Sequence, residues 1–399
     1  MGEKKEIKYD YTRLVLPVGP IHPALKEPVH FRVTVRGEEI LDVDLSLGHV
    51  HRGIEALAET RNIVQTMYLV ERICGICSHS HTTCLVQAIE EIKGLQPTQR
   101  ASYLRTLVSE LERMHSHLLW LGIMAYEIGF ETLFMFTWRE REKILDLFEE
   151  ITGNRVHHSM NTIGGVRWDL TLDMSRKAAD AMKELEKSIT FIRNAFRDKT
   201  VEKRLSGVGL LGGEEARELC AVGPTARGCG LKMDVRKDDP YAAYGELKDD
   251  FSVVVRGEAD AYARLEVRIY ELFESINLIR KILDELPAGA IALDESPIRL
   301  MKVVEGEAVS RVEAPRGELI YFIKTDGKEG LSRLKVRTPT LANVAGLKSM
   351  LVGGEIADIP VVIASIDPCM SCTNRITIID EGRGEARELD CNTLRRKPS

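Results

Sequence analysis

The 399-residue chain is 44% hydrophobic with a formal charge of −6, enough apolar content for a sizeable core and no basic excess of the kind that binds nucleic acid. No apolar run reaches the roughly 18 residues of a spanning helix, and the polar opening MGEKKEIKYDYTR lacks the apolar core of a secretory signal. Eight cysteines are too few for a disulfide scaffold, and their clustering points to metal or redox chemistry in a reducing compartment.

Residues 29–45, VHFRVTVRGEEILDVDL, alternate apolar and polar about Arg36-Gly37, which predicts a β-hairpin in a small N-terminal sheet. From Gly53 the spacing becomes three and four. IEALAETRNIVQTM, HTTCLVQAIEEI, YLRTLVSELERMHSHLLWLG, FETLFMFTWREREKILDLFEEI, MSRKAADAMKELEKSITFIRNAF and DAYARLEVRIYELFESINLIRKILDEL are read as helices, the last stopped by Pro287-Ala288-Gly289. The segment 205–257 is glycine-rich and weakly periodic, so loops and short helices are expected there. After Pro297, alternation returns in MKVVEGEAVSRVEAPRGELIYFIKTDG and RLKVRTP, predicting strands; TLANVAGLKSML reads as a short helix and IPVVIASID as a strand.

The expected fold class is α+β, mainly α, with a long-helix bundle, a small N-terminal β-sheet and a C-terminal β/α segment. The divisions are an N-terminal β region 1–50, a helical bundle 51–297 with the glycine-rich insertion 205–257, a C-terminal region 298–375 and a tail 376–399, all one structural unit.

Two CxxC pairs stand out: Cys74 with Cys77 in ERICGICSHSHTTC, and Cys369 with Cys372 in DPCMSCTNR. Two sulfurs three residues apart can reach one ion, so four thiolates in two pairs suit a zinc or iron–sulfur site. A zinc ribbon closes a loop of roughly 15–20 residues, whereas these pairs lie 295 apart, which suits a site buried between the two ends of a large fold. A thioredoxin-like dithiol needs a βαβ setting, and Cys74 and Cys77 stand between predicted helices.

RxCGxC together with DPCxxCxxR resembles the large subunit of nickel–iron hydrogenases, in the membrane-bound, energy-converting group related to complex I. GPIHPALKEP (19–28), HVHRGIE (49–55), NTIGGVRWD (161–169), EAPRGE (313–318) and VRTPTLANV (336–344) resemble segments shared with the complex I 49 kDa quinone-site subunit, which lacks the paired cysteines. The resemblance covers nearly the whole chain. It implies the hydrogenase large-subunit fold and reversible conversion of 2H+ and 2e− to H2 by heterolytic chemistry. Cys74 and Cys369 would be terminal nickel ligands, and Cys77 and Cys372 would bridge to an iron carrying CO and cyanide. Soft thiolates suit these metals.

The resemblance also assigns supporting roles. Glu27 would take the proton from Cys369, Arg316 would lie over the open metal position, Asp367 would bond Arg316, and His81 would donate to a bridging sulfur. Glu55 is either a ligand to a second, hard cation such as Mg or the partner of Arg375, which stands where relatives carry histidine. His22 resembles a quinone-binding histidine and is assigned to proton relay or packing. His79 is read as structural or exposed. His115 and His117, two apart on a helix, face different sides. Cys84 is read as core, and Cys220 and Cys229 as buried neutral thiols.

In relatives a peptide is removed just after the second CxxC motif; residues 376–399, which include Cys391, occupy that position, and cleavage between Arg375 and Ile376 competes with a retained strand and tail. Implied partners are an iron–sulfur small subunit, membrane-arm subunits and, indirectly, ferredoxin or another carrier such as formate, with the chain peripheral on the cytoplasmic face of the membrane. Two other readings remain: a sulfane-reducing relative on the same metal framework, and a structural or quinone-pocket subunit whose four paired cysteines bind zinc.

Overall fold

The computed structural model describes residues 12–23, 25–294, 302 and 304–373, and the backbone of 377–380 and 385–388. Near the N-terminus, strands β1 (Leu14–Val18), β2 (His30–Arg36) and β3 (Glu39–Ser46) form an antiparallel sheet in that order. The predicted hairpin turns at Gly37, with Phe31 opposite Leu45 and Val33 opposite Val43. Alternation aims Phe31, Val33, Val35 and Val43 at one face, where they pack against residues from the glycine-rich segment and from 344–370.

The middle of the chain is helical, as the periodicity predicts: α1 (Ile54–Ala58), α2 (Ile63–Glu71), α3 (Ser78–Lys93), α4 (Gln99–Glu127), α5 (Glu131–Thr152) and α6 (Leu172–Phe196). Short helices α7 (Lys199–Leu205), α8 (Gly213–Glu218), α9 (Gly223–Arg227) and α10 (Val235–Asp238) cross the glycine-rich region, and α11 (Ala261–Glu285) closes the bundle. Helix α6 buries a single stripe, Ala178, Met182, Leu185, Ile189, Ile192 and Phe196, as an outer amphipathic helix must. Helix α4 starts at the Thr98 cap, which accepts from the Ala101 amide, and is buried nearly all round. Its charged residues therefore need partners inside the protein. Arg105 illustrates this: it forks onto Glu90 of α3 at 2.9 and 2.7 Å and donates to the Thr162 and Gly165 carbonyls.

Strands β6 (Glu305–Ala314), β7 (Gly317–Asp326) and β8 (Arg333–Arg337) form a second antiparallel sheet, laid over α3; the pair β4 (Asn161–Thr162) and β5 (Gly165–Val166) precedes α6. The β6–β7 turn carries Arg316 and is pressed against α9. Gly317 has φ of 127° and Gly223 of 63°, and a Cβ on Gly223 would stand 2.4 Å from the Gly317 Cα. No side chain fits between them, so both positions require glycine.

One predicted element is wrong. IPVVIASID is not a strand: Ile359–Ser365 is an α-helix, with proline in its first turn and a capping box between Glu355 and Asp358 just before it. Ile359, Val361, Val362, Ile363, Ala364 and Ser365 are all buried, so the segment has no polar face to reveal its period, and packing overrides the β-branched preference. TLANVAGLKSML forms two turns, Pro339–Asn343 and Leu347–Leu351, joined by a 3-10 segment. In the tail, Thr377–Asp380 pairs with Glu385–Glu388; Arg375, Cys391 and the rest of 374–399 lie outside the described residues. No helix among the described residues is long and apolar enough to cross a membrane.

Candidate metal centre

The two cysteine pairs are delivered by different ends of the chain and fastened together. Cys74 lies in the loop after α2, and Cys77 is the N-cap residue of α3. The Arg52 guanidinium donates to the Arg72 and Ile73 carbonyls at 2.7 Å each and to the Ser371 carbonyl at 3.1 Å. One side chain thus joins both CxxC segments. Cys369 follows the 359–365 helix through Asp367, whose φ of 53° is left-handed, a conformation that costs a non-glycine residue about 1–3 kcal/mol. The Cys369 amide donates to Thr340 Oγ1 at 3.1 Å, and Thr338 Oγ1 donates to the Cys372 carbonyl at 2.8 Å.

The sulfurs converge. Cys369 Sγ lies 3.4 Å from Cys74 Sγ and 3.1 Å from Cys372 Sγ; Cys74, Cys369 and Cys372 fall within 4.8 Å of one another, as do Cys77, His81 and Cys372. All four cysteines are free thiols buried to 4% exposure or less. Sulfurs that ligate one ion at about 2.3 Å stand about 3.3–3.8 Å apart; the 3.4 Å separation of Cys369 and Cys74 falls in that range, and the 3.1 Å separation of Cys369 and Cys372 just below it. Ionisation fits as well. Bonds from Cys369, Cys372 and Cys77 hold the Cys74 thiol well below its ordinary range, against burial. Cys372 pulls Cys369 down, but donation to Cys74 together with burial carries Cys369 well above the range. Cys372 pulls Cys77 down as well, yet bonding to Cys74 and burial carry it well above the range, and bonds to the other three sulfurs and burial raise Cys372; four thiolates coexist in such a dry pocket only with cations.

Around the sulfurs stand the predicted residues. Arg316, 3% exposed, donates through Nη2 to Asp367 Oδ1 and through Nε to the Asp367 carbonyl, both at 2.8 Å. Its Nη1 and the other Asp367 oxygen are buried without a protein partner. Glu27 places Oε1 3.9 Å from Cys369 Sγ and is gripped by the Ser371 amide at 2.9 Å and hydroxyl at 3.2 Å. Glu27, Arg316, Cys369, Leu25, Val29 and Trp120 line one cavity. His81 Nδ1 meets the Tyr321 hydroxyl at 2.7 Å, while Nε2 has no protein partner. Burial lowers the imidazole to about 4, against the charge of Cys74, so it is neutral at pH 7 and holds one proton.

Other candidates lie apart from the sulfurs. His79 is structural but buried, not exposed: its Nε2 meets the Arg105 carbonyl at 3.0 Å, and burial lowers it to about 3. His115 accepts from Arg141 and His117 pairs with Glu271, on different sides as predicted. Cys84 donates to the Ser310 carbonyl inside the core, where burial pushes its thiol up to about 12. Cys229 is buried and donates to the Thr225 carbonyl. Cys220 departs from expectation: it is exposed, in a turn with φ of 54°. His22 is half-buried, and its carbonyl accepts from the Leu25 amide. Glu55 accepts from the Val336 amide at 2.9 Å and lies 3.3 Å from Lys335 Nζ; pairing with Arg375 falls outside the described residues.

Sequence reasoning missed Arg52, Thr338, Thr340 and Glu112. Buried Glu112 receives the His79 and Ser80 amides at 2.7 and 3.0 Å, holding the first turn of α3 directly after Cys77, and burial raises it to about 8. Nothing local to residue 112 signals a partner more than 30 positions away.

Residues 127–302 and 297–375 match the family of the respiratory-chain NADH dehydrogenase 49 Kd subunit, and residues 52–124 match that of nickel-dependent hydrogenases. The membrane-bound hydrogenase subunit alpha of Pyrococcus furiosus is 44% identical over 92% of this chain and 89% of its own length. The carbon monoxide-induced hydrogenase of Rhodospirillum rubrum is 41% identical over 90% of this chain and 99% of its own. A chain from the structure of the membrane-bound sulfane sulfur reductase, an archaeal respiratory membrane complex, has a TM-score of 0.87 at 33% identity, covering 92% of this chain and 99% of that one.

Proposed function

This chain belongs to the complex I-related family of nickel-dependent hydrogenase large subunits, and from that premise we propose that it is the catalytic subunit of a nickel–iron hydrogenase. It interconverts 2H+ plus 2e− with H2. The observation that carries this reading is the convergence of four buried cysteine sulfurs from both ends of the chain beside Arg316 and Glu27. Cys74 and Cys369 would hold nickel, and Cys77 and Cys372 would help to hold both the nickel and an iron that carries CO and cyanide. These metals, when bound, supply the centre at which H2 is split or formed heterolytically.

The chain's own residues manage the proton and the pocket. Cys369 Sγ is the base that receives it, and Glu27, held by Ser371, is the next acceptor. Arg316, fixed by Asp367, presents a permanent positive charge beside the thiolates. His81, braced by Tyr321, directs its proton toward the sulfur side and tunes their basicity.

Electrons reach the site through an iron–sulfur small subunit, since the cysteines outside the two pairs, at 84, 220, 229 and 391, have no cluster-binding spacing in the sequence. Membrane-arm subunits, a ferredoxin or formate source, a position on the cytoplasmic face, a Mg ion near Glu55, and removal of 376–399 after nickel insertion belong to the same proposal. Nickel and iron analysis of the purified complex, with infrared spectra and an H2 assay, tests it: nickel, CO and cyanide bands and H2 turnover are expected. Zinc without nickel would defeat the reading in favour of a structural site. The likeness to the sulfane sulfur reductase chain supports a second reading, which the same bands without H2 turnover would favour.

A further inference from the structure

The loop that joins β1 to β2 reaches the metal centre and is tied down on both sides of one peptide bond. Its base is closed where Gly19, at φ of 100°, passes the Val29 carbonyl so tightly that a Cβ there would overlap the oxygen. Within it the His22 carbonyl accepts the Leu25 amide at 2.9 Å. Leu25, Glu27 and Val29 turn inward, and Leu25 and Val29 pack into the core beneath the first sheet. Glu27 takes the Ser371 amide and hydroxyl. Lys26 turns the other way: its ammonium lies 2.9 Å from Glu127 Oε1 and 4.2 Å from the centre of the Tyr126 ring, at the end of α4.

Glu127 needs that cation. It is the last residue of α4, whose final turn carries no basic residue, so it sets a negative charge where the helix carbonyls already concentrate one. Its side chain is 7% exposed, against 40% for Lys26, so water compensates it poorly. Leu119, Ile123 and Glu127 recur at intervals of four on one face of α4 and line the same cavity as Lys26, Glu27 and Cys369. Eight residues at about 1.5 Å each put Glu127 about 12 Å along the helix from Leu119. Because Lys26 lines the cavity and is also exposed, the ion pair stands at the cavity's outer rim.

Lys26 and Glu27 are neighbours, with Cα atoms about 3.8 Å apart, so the outer part of the loop cannot leave α4 without carrying the backbone of Glu27 with it. The carboxylate stands 3.9 Å from Cys369 Sγ, and a reacting group misplaced by about 1 Å can lose about a hundredfold in rate. The two Ser371 bonds limit the movement. An exposed ammonium is a weak fastener by itself, but the half-buried carboxylate and the face of the Tyr126 ring both add to its hold.

We propose that Lys26 and Glu127 form a latch that seats Glu27: the ion pair pins the outer part of the loop to the end of α4 and so keeps the Glu27 carboxylate within reach of Cys369 Sγ. Lys26 and Glu127 are positioning residues, and both act through Glu27. The effect on proton transfer rests on the hydrogenase reading, whereas the latch itself does not.

The test is a double-mutant cycle on the purified complex, with Lys26→Met, Glu127→Met and both together, read by deuterium uptake at the Ser371 amide, by nickel content and by H2–D2 exchange. In each single variant the Ser371 amide should take up deuterium faster, and H2–D2 exchange should fall about tenfold at unchanged nickel content. The double variant should match the singles, because each has already lost the same pair. Lys26→Arg keeps the charge and should behave as wild type. On a Glu27→Gln background Lys26→Met should cost nothing more, which a merely structural lysine would not show. Lys26→Met and its arginine control decide the matter if Glu127→Met fails to assemble. An unchanged Ser371 amide in Lys26→Met, or losses that add in the double variant, overturns the latch, and a further loss of the same size on the Glu27→Gln background overturns its action through Glu27. Wild-type complex without any H2–D2 exchange defeats the hydrogenase reading, while the Ser371 amide still decides the latch.

Discussion

Replacing Glu27 by glutamine removes the proton acceptor while leaving its frame in place. The amide oxygen can accept the Ser371 amide bond now made at 2.9 Å, and the amide nitrogen can donate to the Ser371 hydroxyl, 3.2 Å from the present carboxylate. The loop carrying Cys369 and Cys372 keeps its anchor, so metal content should be unchanged. What disappears is a titratable oxygen 3.9 Å from Cys369 Sγ. A positioned general acid or base contributes about 10²–10⁴ in rate, or about 2.7–5.5 kcal/mol of barrier, and a water held by Ser371 would set the loss near the lower end. H2–D2 exchange is the informative assay, because it needs proton transfer at the site but no electron partner. Exchange within threefold of wild type at full nickel content would refute the assignment of Glu27.

Cys369→Ser should lose both nickel and H2 turnover, because a serine hydroxyl is a hard, weakly acidic donor; nickel retained at wild-type activity would remove Cys369 from the ligand set. Arg105→Met leaves the buried Glu90 carboxylate with the Gly164 amide and without its cation, a loss of about 3–5 kcal/mol readable in the denaturant midpoint, and a loss under about 1 kcal/mol would mean that the Glu90 ion pair contributes little. Glu112 stands at about 8 in the folded protein against an ordinary 4.5. The folded state therefore holds that proton more tightly: the stabilisation is full below about pH 4.5 and is lost as pH rises towards about 8, on the order of 4–5 kcal/mol in all. Glu112→Gln should flatten that slope, so equal slopes in variant and wild type would show that Glu112 is not the titrating group.

Much of this protein is written locally. The 3.6-residue period marks helices such as α6 because they bury one stripe, and the period of two marks β2 and β7 because each has one buried face. Where burial is uniform the signal fails, which is why Ile359–Ser365 reads as a strand and folds as a helix. Cys220 shows the converse limit: a cysteine in a glycine-rich turn gives no local sign that it faces solvent.

By itself the sequence displayed the donor set of the candidate site: two CxxC pairs, with Glu27, Arg316, Asp367 and His81 in motifs around them. Covalent spacing binds each cysteine to its neighbour three residues on, so that much survives without a fold. Only the tertiary structure decided that the pairs meet, with Cys369 and Cys74 sulfurs 3.4 Å apart across 295 residues of chain. Arg52, Thr340 and Glu112 likewise came only from the fold. Their partners lie far along the chain, and such contacts exist only once burial has removed water and each buried polar group has had to find another.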